Sequence, residues 1–121
     1  MLLNGMSSGL ASDLKKQGNA VLLVNSQRQI AGVSANLVKI WHLPEVIIRS
    51  QSDELALRVA SNQFDNPQSF LRDITDIYAN LELELCEIIQ LRDGRKIERH
   101  SKPLWVNQIY VGRMWVFQVF E

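Results

Sequence analysis

Residues 81–120 read LELELCEIIQ LRDGRKIERH SKPLWVNQIY VGRMWVFQVF, and this stretch decides the fold. From Glu82 to Leu91 polar and apolar residues mostly alternate, the period-two pattern of a half-buried strand. Arg92-Asp93-Gly94-Arg95 follows, where Gly94 can supply the positive φ that a tight hairpin demands. Lys96 to Val106 predicts a second strand, with Pro103 at an edge or a bulge because it has no N–H to give a ladder. Asn107-Gln108 is the expected second turn. Ile109 to Phe120 predicts the third strand, rich in the branched and aromatic residues that suit a pleated surface. A meander of three strands needs a cover for its apolar face, and the first eighty residues must supply it.

Residues 1–19 form a polar leader with Gly5, Gly9 and Gly18, in which Ser12 to Lys16 predicts a short docked helix. Ala20 to Asn25 is a short aliphatic run between turn formers, which favours a buried strand. Ser26 to Gln29 predicts a turn and Ile30 to Ser34 a second strand. The spacing then becomes helical. Leu37, Ile40 and Trp41 predict a helix capped by Asn36 and ended by Pro44. Ser52-Asp53-Glu54 opens a second helix, and Asn66-Pro67 a third that carries Phe70, Leu71, Ile74, Ile77 and Tyr78 to about Asn80. The predicted order is β-β-α-α-α-β-β-β. It implies an α+β fold, a five-stranded antiparallel sheet with helices packed on one face.

At 121 residues the chain is expected to be one domain over 20–121 behind the 1–19 leader. Lys plus Arg and Asp plus Glu number 13 each, so the net charge is zero, which argues against a nucleic-acid partner. The lone Cys86 permits no intrachain disulfide, puts the usual zinc ligand sets out of reach, and fits a reduced, cytoplasmic setting. No metal site is expected. No apolar run reaches the ~20 residues of a membrane span, and Met1 to Gly5 is too short and uncharged for a signal peptide.

Several motifs together resemble a PAS domain of the bacterial sensor type, over about Ala20 to Phe120. Val21-Leu22-Leu23-Val24-Asn25, a four-residue turn and Ile30 are similar to that family's opening hairpin. Ala35-Asn36 and Trp41-His42-Leu43-Pro44-Glu45 resemble its Ala-Asn and Trp-Gly-Leu-Pro-Glu segments, with His42 in place of Gly. Phe70 to Ala79 resembles the long helix before the meander. Leu91 to Arg95 and Glu98 to Pro103 resemble Leu-Lys-Asp-Gly-Arg and Glu-Arg-Tyr-Ser-Arg-Pro, and Gly112 to Phe117 resembles Gly-Arg-Val-Trp-Ser-Phe. After that Phe the family usually continues Arg-Asp-Ile-Thr, where this chain reads Gln118-Val119-Phe120-Glu121. The resemblance implies a non-catalytic sensory module attached to, or partnering, a signalling output domain of a two-component histidine kinase or a cyclic-dinucleotide enzyme.

Haem is disfavoured, because 67–80 holds no histidine and His42 and His100 lie elsewhere. Flavin photochemistry is disfavoured, because the Gly-x-Asn-Cys-Arg-Phe-Leu-Gln motif is missing and Cys86 falls on a strand, where a small half-buried side chain is expected. Glu82, Glu84 and Glu87 read as a solvated strand edge rather than a catalytic cluster. A small ligand between sheet and long helix would meet Leu71, Ile74, Ile77 and Tyr78 on one wall and Ile89, Ile97, Arg99, Trp115 and Phe117 on the other. Arg99 stands out: it faces a carboxylate ligand, pairs with a strand carboxylate such as Glu87, or faces solvent. The last strand is apolar at both parities, so Met114, Val116 and Phe120 are expected to form a homodimer face. The other reading is a ligand-free dimerisation domain.

Overall fold

The computed structural model describes residues 19–120, so the leader helix, any cover it lends the sheet, and Glu121 lie outside the described residues. Two strands open the chain, β1 (Ala20–Asn25) and β2 (Ile30–Val33). Four helices follow: α1 (Ala35–Trp41), α2 (Glu45–Ser50), α3 (Asp53–Ser61) and α4 (Pro67–Ala79). The meander β3 (Leu85–Gln90), β4 (Lys96–Val106) and β5 (Ile109–Phe120) completes one antiparallel sheet of order β2-β1-β5-β4-β3. The first hairpin thus rejoins the meander through β1–β5 pairing, Leu22 opposite Trp115.

The sheet has two dissimilar faces. Leu22, Val24, Ile97, Trp115 and Phe117 point to the helices and meet Leu37, Trp41, Ala56, Phe70, Ile74 and Ile77 in the main core. Each such aliphatic or aromatic burial contributes about 1.5–3 kcal/mol. Val21, Leu23, Leu104 and Met114 form a second buried cluster on the opposite face. Because β1 is buried on both faces, it reads as a continuous apolar run and not as an alternation.

The turn chemistry follows the sequence closely. Asn107 and Gln108 both have positive φ, 49° and 67°, as a two-residue hairpin requires. Pro103 pairs with Arg113 where β4 has run past the end of β3 and has one neighbour only, so its missing N–H costs no ladder bond there. The Asn66 side chain accepts from Ser69 N, with Pro67 at the first helical position of α4.

Three elements differ from the sequence reading. Four helices, not three, lie between β2 and β3: α2 begins directly after Pro44, and none of its six residues is fully buried, with only the adjacent Ile47 and Ile48 packing against the core, so it shows no spacing of three and four. Ser34, not Asn36, caps α1, its Oγ accepting from Leu37 N at 3.4 Å. The first meander strand begins at Leu85 and not Glu82, because Asn80 and Leu83 are held in a turn by Arg113, whose Nη2 donates to both carbonyl oxygens at 3.3 and 2.9 Å. Glu82 and Glu84 are therefore not on a strand.

Gly112 sits at the bulge between Leu104 and Trp105 with φ +152°, and a Cβ there would lie 2.0 Å from Val24 O. Gly94, with φ +94°, has nothing within 4 Å of such a Cβ. Urea denaturation should therefore show Gly112→Ala destabilised by about 3 kcal/mol or more, from clash plus strain, and Gly94→Ala by only about 1–2 kcal/mol, from backbone strain alone. Equal losses would contradict this packing of β1 on β5.

Candidate functional site

Between the sheet and the helices lies a small, largely apolar cavity of about 50 Å³. Its floor is Leu22, Arg99, Trp115 and Phe117 on β1, β4 and β5. Its walls are Leu37 and Trp41 on α1, Asp53, Ala56 and Leu57 on α3, and Phe70, Ile74 and Tyr78 on α4. Alternation along β4 and β5 aims Arg99, Trp115 and Phe117 inward, and the spacing of four in α4 stacks Phe70, Ile74 and Tyr78 above them. Trp41 meets Phe117 edge-on, with centroids 5.3 Å apart, and Phe64 stacks on Phe70 at 4.2 Å, so one end of the cavity is an aromatic wall.

Of the residues the sequence assigned to a pocket, Ile74, Tyr78, Arg99, Trp115 and Phe117 line this cavity. Ile77 and Ile97 are buried in the core beside it. Leu71 and Ile89 are half-buried against the core and border two surface grooves, the second of which Arg99 also borders. The sequence reading missed the contributions of α1 and α3, and above all Asp53, a carboxylate only 1 % exposed. Its sole signal was the Ser52-Asp53-Glu54 helix start, which as readily describes a solvated first turn.

The polar groups form two sets. In the first, Arg28 Nε donates to Asp53 Oδ2 at 2.8 Å, its guanidinium lies 3.6 Å from the centre of the Tyr78 ring, and Trp115 Nε1 donates to Tyr78 Oη at 3.0 Å. This set links the β1–β2 turn to α3, α4 and β5. Burial pushes the Asp53 carboxyl above its ordinary value, against the opposing pull of Arg28. The Tyr78 hydroxyl is pushed up too, first by burial and then by the Asp53 charge.

In the second set Arg99 is buried beneath α4, with Nη2 donating to Asp73 Oδ2 at 2.9 Å and to Glu87 Oε1. The expected strand pairing with Glu87 is present, joined by a helix carboxylate that the sequence did not suggest. Both partners use one nitrogen. Nε and Nη1 of Arg99 are buried and have no partner among the described residues. Of the three residues expected on a dimer face, Met114 is buried, Val116 is half-buried and Phe120 is exposed. Cys86 is exposed, not half-buried, since β3 is an edge strand.

No family model matches the sequence, and no curated protein matches it. Solved structures match the fold. The sensor region of a sensor histidine kinase superposes with a TM-score of 0.65 at 12 % identity over 86 % of this chain, which spans 40 % of that region. The PAS domain of a Colwellia psychrerythraea protein gives 0.62 at 13 % identity, covering 93 % of this chain and 94 % of that one. A domain of a light and redox sensing histidine kinase from Haloarcula marismortui gives 0.61 at 10 % identity, covering 94 % and 100 %. The chain has the PAS fold. No helix among the described residues is long and apolar enough to cross a membrane.

The raised Asp53 value fixes a pH dependence. The folded chain holds this proton more tightly than the unfolded chain, so deprotonation favours unfolding. The contribution of Asp53 is most favourable below its ordinary value of 3.8 and is lost as pH rises through the folded value. The stability of the parent minus that of Asp53→Asn, from urea denaturation, should fall between about pH 4 and neutrality. A difference that stays constant or grows over that range would contradict the assignment.

Proposed function

We propose that this chain is a sensory PAS module that binds a small carboxylate between its sheet and helices and regulates an attached or partner signalling enzyme of the histidine kinase or cyclic-dinucleotide type. One observation carries the reading: Arg99 has two buried nitrogens, Nε and Nη1, without partners among the described residues and borders a largely apolar cavity whose other polar side chains, Asp53 and Tyr78, are engaged with Arg28 and Trp115. A buried charge left half-paired is costly, and a carboxylate accepting from Nε or from Nη1, which lie on different edges of the guanidinium, would relieve part of that cost. The cavity volume supports a ligand of few atoms, since about 50 Å³ is room for only about three or four waters. Pockets for drug-sized ligands run to about 300–1,000 Å³.

Transmission follows from the partners of Arg99. It ties Asp73 on α4 to Glu87 on β3, so a ligand that shares its charge alters both ties. Binding then shifts the packing of α4 on the sheet, the differential interaction that a population shift needs. The test uses the tryptophans of the cavity, Trp41 and Trp115. Short monocarboxylates should change their fluorescence saturably, whereas the matching amides should not. Arg99→Met should weaken binding about tenfold or more, as a hydrogen bond to a charged group contributes about 1.5–3 kcal/mol. Equal binding of acid and amide, or full affinity in Arg99→Met, would overturn the proposal.

A second reading, a ligand-free homodimerisation domain, is favoured by Ile88 and Phe120, both about half exposed on the face away from the helices. Analytical ultracentrifugation separates the two. A dimer that Phe120→Asp dissociates, in a chain that binds no carboxylate, is the result this second reading requires.

A further inference from the structure

On the face of the sheet opposite the cavity, three side chains of different chemistry converge. Cys86 on β3 stands directly across from His100 on β4, and Glu98 lies two residues along β4 on the same face. The Cys86 sulfur is 3.7 Å from His100 Nε2, and Glu98 Oε1 is 2.5 Å from that same nitrogen. All three donor atoms lie within 4.8 Å of one another. In sequence Cys86 is twelve or more residues from Glu98 and His100, and only the β3–β4 register brings it to them.

The shared nitrogen decides what the cluster can do. A nucleophilic relay needs the carboxylate on the ring nitrogen that does not face the thiol. Here both neighbours address Nε2, so Glu98 cannot orient the imidazole against Cys86. Three donors aimed at one point are instead the start of a tetrahedron. Zinc bonds of about 2.3 Å to sulfur and about 2.0–2.2 Å to nitrogen and oxygen place S and N about 3.5 Å apart and N and O about 3.4 Å apart. The first spacing is already present. The second needs the Glu98 carboxylate to withdraw by about 1 Å, and its side chain is 32 % exposed and able to turn.

The geometry points to a surface site for a divalent cation of the zinc class, held by Cys86 Sγ, His100 Nε2 and a Glu98 oxygen, with a fourth position open to water. A thiolate and an imidazole select such an ion over magnesium or calcium, which prefer all-oxygen shells. Binding forms the metal–sulfur bond as the thiol proton leaves to solvent. The site ties edge strand β3 to β4 and gives the module a second input, independent of the Arg99 cavity on the other face.

Cobalt(II) titration of the reduced full chain near neutral pH tests this directly. The expected result is one ion per chain, with a thiolate-to-cobalt charge-transfer band and tetrahedral visible bands that zinc(II) displaces. Competition with a chromophoric chelator should show zinc affinity lowered by about tenfold or more in Glu98→Gln and His100→Ala, and lost in Cys86→Ser. Circular dichroism should show all three variants folded, since the three donors are at least partly exposed. No charge-transfer band, or zinc affinity unmoved by both Glu98→Gln and His100→Ala, would overturn the site.

Discussion

A helix laid across a sheet ends in carbonyl oxygens that solvent reaches poorly, and in this protein arginines of the meander supply the missing donors. Arg95 Nη1 donates to Ile40 O at 2.7 Å at the end of α1, and Gln63, itself bonded to Arg95, donates to Trp41 O. Arg92 Nη2 donates to Phe64 O just beyond α3. Arg113 closes the end of α4. The Arg92-Asp93-Gly94-Arg95 turn is therefore more than a hairpin loop. Gly94 lets the chain reverse, and the two arginines around it fix the C-terminal ends of two helices over the sheet. The positions of the cavity walls depend on these ties.

Arg99 and Arg113 show how the same group serves two purposes. Both are buried, and both guanidiniums lie near the Trp115 ring, at 5.7 and 6.0 Å from its centre. Burial pulls the Arg113 value down, the cost of holding a charge away from water. Arg113 is engaged through both terminal nitrogens, with Ser101 Oγ and two carbonyls. Arg99 engages through one and borders the cavity. A structural clamp and a candidate recognition group thus differ in how many donors the fold consumes.

Much of the fold was legible because its signals are local. Lys96–Val106 and Ile109–Phe120 carry branched and aromatic residues up to turn residues with the right φ preference. Asn66-Pro67 likewise marks a helix start by the chemistry of two residues. What escaped depended on distant partners. The meander starts late because Arg113, thirty residues on, holds Leu83. Asp53 is buried because Arg28 and Tyr78 meet over it, which no spacing within 52–61 reveals. The β4 and β5 side of the cavity could be read from alternation, but α1 and α3 enter it only through their tilt across the sheet. His42, where the resembling pattern has Gly, adopts the left-handed φ of 52° at the end of α1, so the backbone requirement survives a change of residue.

Arg99 is proposed to keep donors for a ligand, and the guanidinium itself can report on it. Nitrogen-15 NMR of the Arg99 Nε–H, assigned by its loss in Arg99→Met, should be followed while a short monocarboxylate is added. The expected result is a saturable shift of this resonance with slowed solvent exchange, while the Arg113 Nε–H stays in place. An Arg99 signal that does not move at saturating carboxylate would contradict it.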